Sequence, residues 1–514
     1  MIRVRRNVWD LPRNADGWSD TLLWYARGVA AMKAKPLSDA ASWRSYAAIH
    51  GIYPPLWEHY GYLTPGEAMP PQAAIDRYWD QCQHGTWYFL PWHRGYLAAL
   101  EGNILAVIAQ HGGTPPTDWA LPYWNYFKPG QNDLPPEFAS PDWPDGTGDN
   151  PLYVEPRWGP YSDGNVTVLL DQVDLDAMRE PAFSSDATLG GSLGFGGPDT
   201  RRFEHGGRRH GAVESQPHDV IHGLVGGEDA NNPAPPWWGG PHLPGLMSSP
   251  PTAGLDPIFY LHHANIDRLW ASWAANGHAD PTDDLWRKGP ASIGQRIFSM
   301  PKADGSGWDY TPADMVDPAT LGYDYDELDP TGAAAPGVRS AVRGLPEEEL
   351  PMTDGKDVEI VGASERGLPI VGTESATDVR LDKQVRQKVV AARVQRSAAG
   401  ERVLLNLENV TGLSDATIFK VYLNLPDGSS PDDHPELLAG SIGLFGVRSA
   451  SDGEDEHGGQ GLDYVLDVTK IVNALSLQGK FDVDHVAVRV VPLRPVEAES
   501  RINIGRISIA VQGA

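Results

Sequence analysis

The stretch from Cys82 to Glu101, CQHGTWYFLPWHRGYLAALE, constrains this chain more than any other. It sets His84 and His93 nine residues apart. The second lies just inside a helix that opens at Pro91, a position where the missing N–H of proline costs nothing. The same stretch holds Cys82, the one cysteine of 514 residues. A counterpart lies near residue 260. There HDVIH places His218 and His222 at i, i+4, on one face of a helix. Behind it, DPIFYLHHANIDRLW carries His262 and His263 after Asp256, a good helix cap, with Pro257 at the first helical position. Two histidine clusters borne on helices imply two metal ions held between those helices.

Charge narrows the partners. Forty-one basic against 68 acidic residues leave a net charge of −27, which argues against a nucleic-acid phosphate backbone as ligand. A single cysteine excludes an internal disulfide framework and fits a reducing compartment. The opening MIRVRRNVWDLPRN has an arginine pair with no apolar run behind it. No window offers 18 uncharged apolar residues, so no membrane span is expected. The expectation is a soluble, cytoplasmic protein whose partner is a small molecule, neither membrane nor nucleic acid.

Periodicity divides the chain. Helical spacing of apolar residues covers much of 18–50, the run from Pro91 to Gly112, a short piece after His218 that Gly223, Gly226 and Gly227 stop, and Asp256 to about Asn276. Residues 113–216 are dense in Pro, Gly, Asp and Trp and read as long loops. After Leu328, residues 329–378 mix Ala, Gly, Pro and charge with little periodicity, as linkers do. Beyond them VYLNL, HVAVRVV and RINIGRISIAV alternate apolar and polar residues in the manner of half-buried strands. The fold expected is a mainly α domain over 1–328, a four-helix bundle around the metal centre with long loops. A linker over 329–378 and an all-β, sandwich-like domain over 379–514 follow it.

A lone HxxxH is a weak signal, and Asp219, not Glu, follows its first histidine, so the zinc-protease pattern is incomplete. Context is stronger. His50, His84, His93, His218, His222 and His263 divide into two groups of three. Ligand sets of imidazole alone suit copper or zinc better than magnesium, calcium or manganese, and the general affinity order favours copper. Three neutral ligands also leave room for an exogenous one. Cys82 by itself reads as a buried thiol, and Asp267 beside Arg268 reads as an internal ion pair.

These residues resemble the type 3 copper proteins, that is tyrosinases, catechol oxidases and the oxygen carrier haemocyanin. The resemblance rests on HGTWYFLPWHRGYLAALE, HDVIHG and DPIFYLHHANIDRLW. It implies one copper on His50, His84 and His93 and a second on His218, His222 and His263. His263 is the second of the family's HH pair, leaving His262 to packing. His50 fits the pattern IHG, although His59 is nearer in sequence to His84. Cys82, Gln83 and His84 are similar to the Cys-x-His whose sulfur is joined covalently to the imidazole in some members. Glu214 and Asp219 stand where members carry polar groups that orient a water to take the phenol proton, and Phe259 packs one turn before His263. GYDYDEL, with Tyr323 and Tyr325, resembles the motif that closes the catalytic domain against an N-terminal arginine, here Arg5 or Arg6.

The C-terminal part resembles, in QGKFDVDHVAVRVVPL, the shielding domain of plant polyphenol oxidases, in which one side chain plugs the copper site; Leu444 or Phe445 is the candidate here. The activity implied is oxidation of o-diphenols to o-quinones by dioxygen at two copper ions, with o-hydroxylation of monophenols, in an enzyme made latent by its C-terminal domain. A small phenol is the implied partner, and a copper-delivery chaperone a further candidate. An o-aminophenol oxidase is the alternative, with an oxygen carrier and a zinc hydrolase behind it.

Overall fold

A computed structural model describes the chain except for residues 1, 111–117, 147, 187–189, 330–357, 382–400, 454–458, 480–484 and 514. The helix carrying His93 runs Phe89–Gln110, opening two residues ahead of Pro91, and is buried on nearly every face. A helix apolar all round belongs in the middle of a core. It packs against Asp20–Lys33 on one side and Ile258–Ala275 on the other. Gly28 permits the first contact, since a Cβ there would lie 2.5 Å from Ile104 Cδ1. Trp43–His50 and Val220–Gly226 bear His50 and His222, whereas His218 lies in the turn Glu214–Asp219 just ahead of the second of these and His84 in the loop before Phe89. The Asp256 carboxylate accepts from the Ile258 amide at 3.0 Å and so caps the last helix.

Between these helices the chain is mostly loop, as its Pro, Gly and Trp content foretold. The ends are tied back. Arg3–Arg5 pairs in parallel with Tyr323–Tyr325. Of the two arginines considered, Arg5 makes the closing contact: fully buried, it donates to Glu101 at 3.0 Å, to Asp267 at 3.1 Å and to the Tyr325 hydroxyl at 3.1 Å. Its guanidinium lies 3.6 Å over the Tyr323 ring.

The expected Asp267–Arg268 ion pair does not form. Asp267 bonds Arg94 and Arg5, while Arg268 turns to the Asn265 side chain and the carbonyls of Glu327 and Asp329. Consecutive residues on a helix point about 100° apart, so neighbours in sequence find different partners.

The C-terminal part is one antiparallel sheet of nine described strands. Its order is Leu438–Gly443, Ile418–Leu423, Val486–Pro492, Ser375–Leu381, Val358–Ser364, Asn503–Gln512, Arg402–Thr411 and Leu462–Asp467, with Leu368–Pro369 also on Asn503–Gln512. The sheet curls until its two ends meet, where the Tyr464 hydroxyl donates to the Gly443 carbonyl at 2.9 Å. Inside lies a separate apolar core that includes Leu405, Phe419, Val421, Val488 and Ile504.

The sheet begins at Val358, ahead of the boundary expected at 379. Residues 358–378, expected as linker, supply two of its strands and part of a third. Of VEIVGAS only Val361 is buried, so the alternation there is too faint to read. The remainder of the expected linker, 330–357, lies outside the described residues, as does the KFDV sequence at 480–483.

Ion pairs fasten the sheet to the helical unit around its rim. Arg402 holds Glu180 through two bonds, Arg494 holds Glu228 at 2.6 Å, and Arg208 and Arg209 flank Asp463. No helix among the described residues is long and apolar enough to cross a membrane.

Candidate metal centre

Two buried groups of donors face each other between the helices. His50, Cys82, His84 and His93 form one, and His218, His222, His262 and His263 the other; within each, one donor atom per residue lies within 4.8 Å of the rest. The rings of His93 and His263 stack across the gap with centroids 4.3 Å apart, and His84 approaches His218 at 5.7 Å.

Local structure aims each ring. Gly51 ends the helix Trp43–His50 and leaves His50 in its last turn, where Nδ1 donates to the Pro250 carbonyl at 2.8 Å. His93 Nδ1 donates to the Phe89 carbonyl one turn back at 2.8 Å. His222 Nδ1 donates to the Met247 carbonyl at 2.6 Å, and His218 Nδ1 to Asp219 Oδ1 at 2.9 Å. A proton fixed on Nδ1 leaves Nε2 bare, the usual arrangement for a metal-ligating imidazole. Phe89 and Phe259 brace the rings, at 4.8 Å from His218 and 4.2 Å from His263.

The donor set fits metal ions. His50 Nε2 and both nitrogens of His263 are buried with no hydrogen-bond partner. His218 Nε2 and His222 Nε2, each with its proton on the far nitrogen, stand 3.1 Å apart. Two lone pairs so placed repel, and a shared cation removes the conflict. Burial, with the neighbouring histidines, pushes His84, His93, His218, His222 and His263 well below the usual imidazole range, and His50 down to about 3. They are neutral, as coordination requires.

Of the alternatives left open by sequence, His59 is exposed, beside Tyr60 and Trp237, and outside both groups. His262 is within the second group but reaches the Tyr126 hydroxyl through Nδ1 at 3.4 Å, whereas His263 is the ring turned to the first group. Cys82 Sγ sits nearly equidistant from the two nitrogens of His84, at 3.5 and 3.6 Å, and 3.4 Å from His93 Nε2. Glu214 accepts the Gly85 amide at 2.9 and 3.0 Å. Both carboxylates are fully buried, and burial raises their pKa, Glu214 to about 8.

Sequence reasoning missed His210. Its Nδ1 meets Asp219 Oδ2 at 2.6 Å. Burial lowers its pKa, but Asp219 and Glu214 outweigh that and hold it up at about 9. Its spacing four residues before Glu214 was the only hint.

The two plug candidates separate. Leu444 is buried in the core of the sheet. Phe445 points the other way and stacks on His222, with centroids 3.9 Å apart and planes 16° off parallel, 5.5 Å from His84 and 5.6 Å from His218.

A helical unit that brings two groups of buried histidines face to face beneath a C-terminal β-sheet has the form of a shielded two-metal site. The model of the common central domain of tyrosinase matches residues 40–276, and that of a domain of unknown function (DUF7868) matches 357–512. Tyrosinase HcTyr1 of Hahella sp. (strain CCB-MM4) is 32% identical over 525 residues, 99% of each chain. A chloroplastic polyphenol oxidase of Malus domestica is 26% identical, over 79% of this chain and 64% of its own. The solved structure of latent apple tyrosinase superposes with a TM-score of 0.58 at 21% identity, covering 100% of this chain and 97% of that one. Latent aurone synthase, recombinantly expressed, gives 0.56 at 19%, covering 99% and 89%. The chain belongs to the tyrosinase family.

Proposed function

We propose that this chain oxidises o-diphenols to o-quinones with dioxygen at a dicopper centre, hydroxylates monophenols at the ortho position, and is latent because its β-sheet unit covers the site. His50, His84 and His93 would hold one copper and His218, His222 and His263 the other. Bound there, the copper pair would supply the electron transfer between phenol and dioxygen that no side chain here can perform.

The chain's own residues do the rest. Backbone carbonyls and Asp219 aim the Nε2 atoms, burial keeps the imidazoles neutral, and Glu214 ties down the loop that bears His84 through the Gly85 amide. Phe445 is the observation that carries the reading: an aromatic ring already lies flat on His222 at the face left open by the histidines. A phenol ring would take that place once Phe445 leaves.

The position of Cys82 supports a thioether to the carbon between the nitrogens of His84. The S–H and that C–H are lost, one C–S bond forms, and the two protons and two electrons pass to dioxygen, which leaves as hydrogen peroxide. The peptide holding both residues should then weigh two hydrogens less than its sequence; the unmodified mass would refute the bond.

Oxygen uptake by copper-loaded protein with a catechol, a monophenol and an o-aminophenol tests the activity. Fastest uptake with the catechol supports it. Preference for the aminophenol would assign the centre to that substrate instead, and reversible oxygen binding without turnover would mean a carrier.

A further inference from the structure

We propose that His210 is a positioning residue for the second histidine group, acting through Asp219. The inference rests on reading His218 and its neighbours as copper ligands. His210 lies in the loop ahead of the Glu214–Asp219 turn and is 4% exposed. Its Nδ1–H donates to Asp219 Oδ2 at 2.6 Å, while the other oxygen of the same carboxylate accepts from His218 Nδ1 at 2.9 Å. One carboxylate thus spans two imidazoles, and the outer one fixes the orientation of the inner. An aspartate's terminal torsion is soft, so a carboxylate held by one oxygen alone would rotate and carry His218 with it. Its second oxygen would also be a buried acceptor without a donor.

The far side of the ring, Nε2, is 4.0 Å from Glu214 Oε1, and Glu214 grips the amide next to His84. His210 therefore stands between the carboxylates that serve the two histidine groups. The β unit closes over this cluster. Tyr464 lies 6.4 Å from the His210 ring, and a Cβ at Gly443 would come within 2.8 Å of the Asp219 backbone.

The test is copper affinity, measured site by site on the full-length protein against a competing chelator. His210→Leu removes the donor at similar volume and should weaken one of the two coppers by about 10- to 100-fold, the usual loss for a residue that orients a ligand. His210→Gln, which keeps an N–H donor, should restore most of it. In an Asp219→Ala background His210→Leu should cost nothing more, because its effect runs through that carboxylate. Unchanged affinity in His210→Leu, or an equal loss in the Asp219→Ala background, would overturn the proposal.

Should the leucine variant not fold, His210→Asn carries the same test, since its shorter amide cannot span the contact: weakened copper supports the proposal, and wild-type affinity contradicts it. Wild-type protein that takes up fewer than two coppers would overturn both this inference and the ligand reading beneath it. Two tight coppers in wild type with no effect of His210 would overturn this inference alone.

Discussion

The two histidine groups are built differently. In the first, the rings of His50 and His93 are aimed by backbone carbonyls, and a neutral sulfur stands beside His84 and His93. In the second, His218 is aimed by a carboxylate that His210 holds in turn, and His222 carries the Phe445 ring. The first group is held mainly from within the helical unit, with Phe445 only edge-on to His84 at 5.5 Å. The second carries the closest contact with the β unit, the Phe445 ring stacked on His222, so control over the centre should act on that side.

The largest effect comes from the ring pair that joins the groups. His93→Ala and His263→Ala should each abolish turnover, while His262→Ala, whose ring faces Tyr126, should keep most of it. Turnover in His263→Ala with none in His262→Ala would reverse the assignment of the second group. Cys82→Ser should weaken copper in the first site by about tenfold and leave the second unchanged, the small end of the range for groups that orient a ligand. Loss at both sites would mean that the groups are not independently built.

A smaller effect concerns the contact that holds the Phe445 turn. Asp415 accepts the Arg448 amide at 2.9 Å and the Ser249 hydroxyl at 3.0 Å, and burial pushes its pKa up to about 6. Its carboxyl therefore binds a proton more tightly folded than unfolded. The penalty for ionising it is absent below about pH 4 and complete above about pH 6, so this residue lowers stability as pH rises across that window. Asp415→Asn should flatten the melting-temperature curve there relative to wild type. An equally steep curve would show that Asp415 ionises freely.

The helical part was legible because its signals are local. Prolines, caps and apolar spacing mark Phe89–Gln110 and Ile258–Ala275, and the histidine motifs sit on them. What escaped depends on tertiary contact. His210 lies in a loop where nothing periodic marks it, and only the fold brings it to Asp219. Val358–Ser364 buries only Val361, too little to show alternation, while Ser375–Leu381 alternates but buries apolar side chains only at its end, at Val379 and Leu381. Asp267 and Arg268 looked paired because they are adjacent, yet a helix sends them to different partners. Leu444 and Phe445 were inseparable in sequence because both are apolar. They point oppositely where the chain leaves its strand, one into the sheet's core and one onto the histidines.

The most direct measurement compares Phe445→Gly with Leu444→Gly for oxygen uptake with a catechol, both uncleaved and copper-loaded. Opening the face over His222 in Phe445→Gly should raise turnover about tenfold or more over wild type, because the competent fraction grows. Leu444→Gly should destabilise the sheet without a comparable gain. A Phe445→Gly enzyme as inactive as wild type, with two coppers bound, would contradict the account.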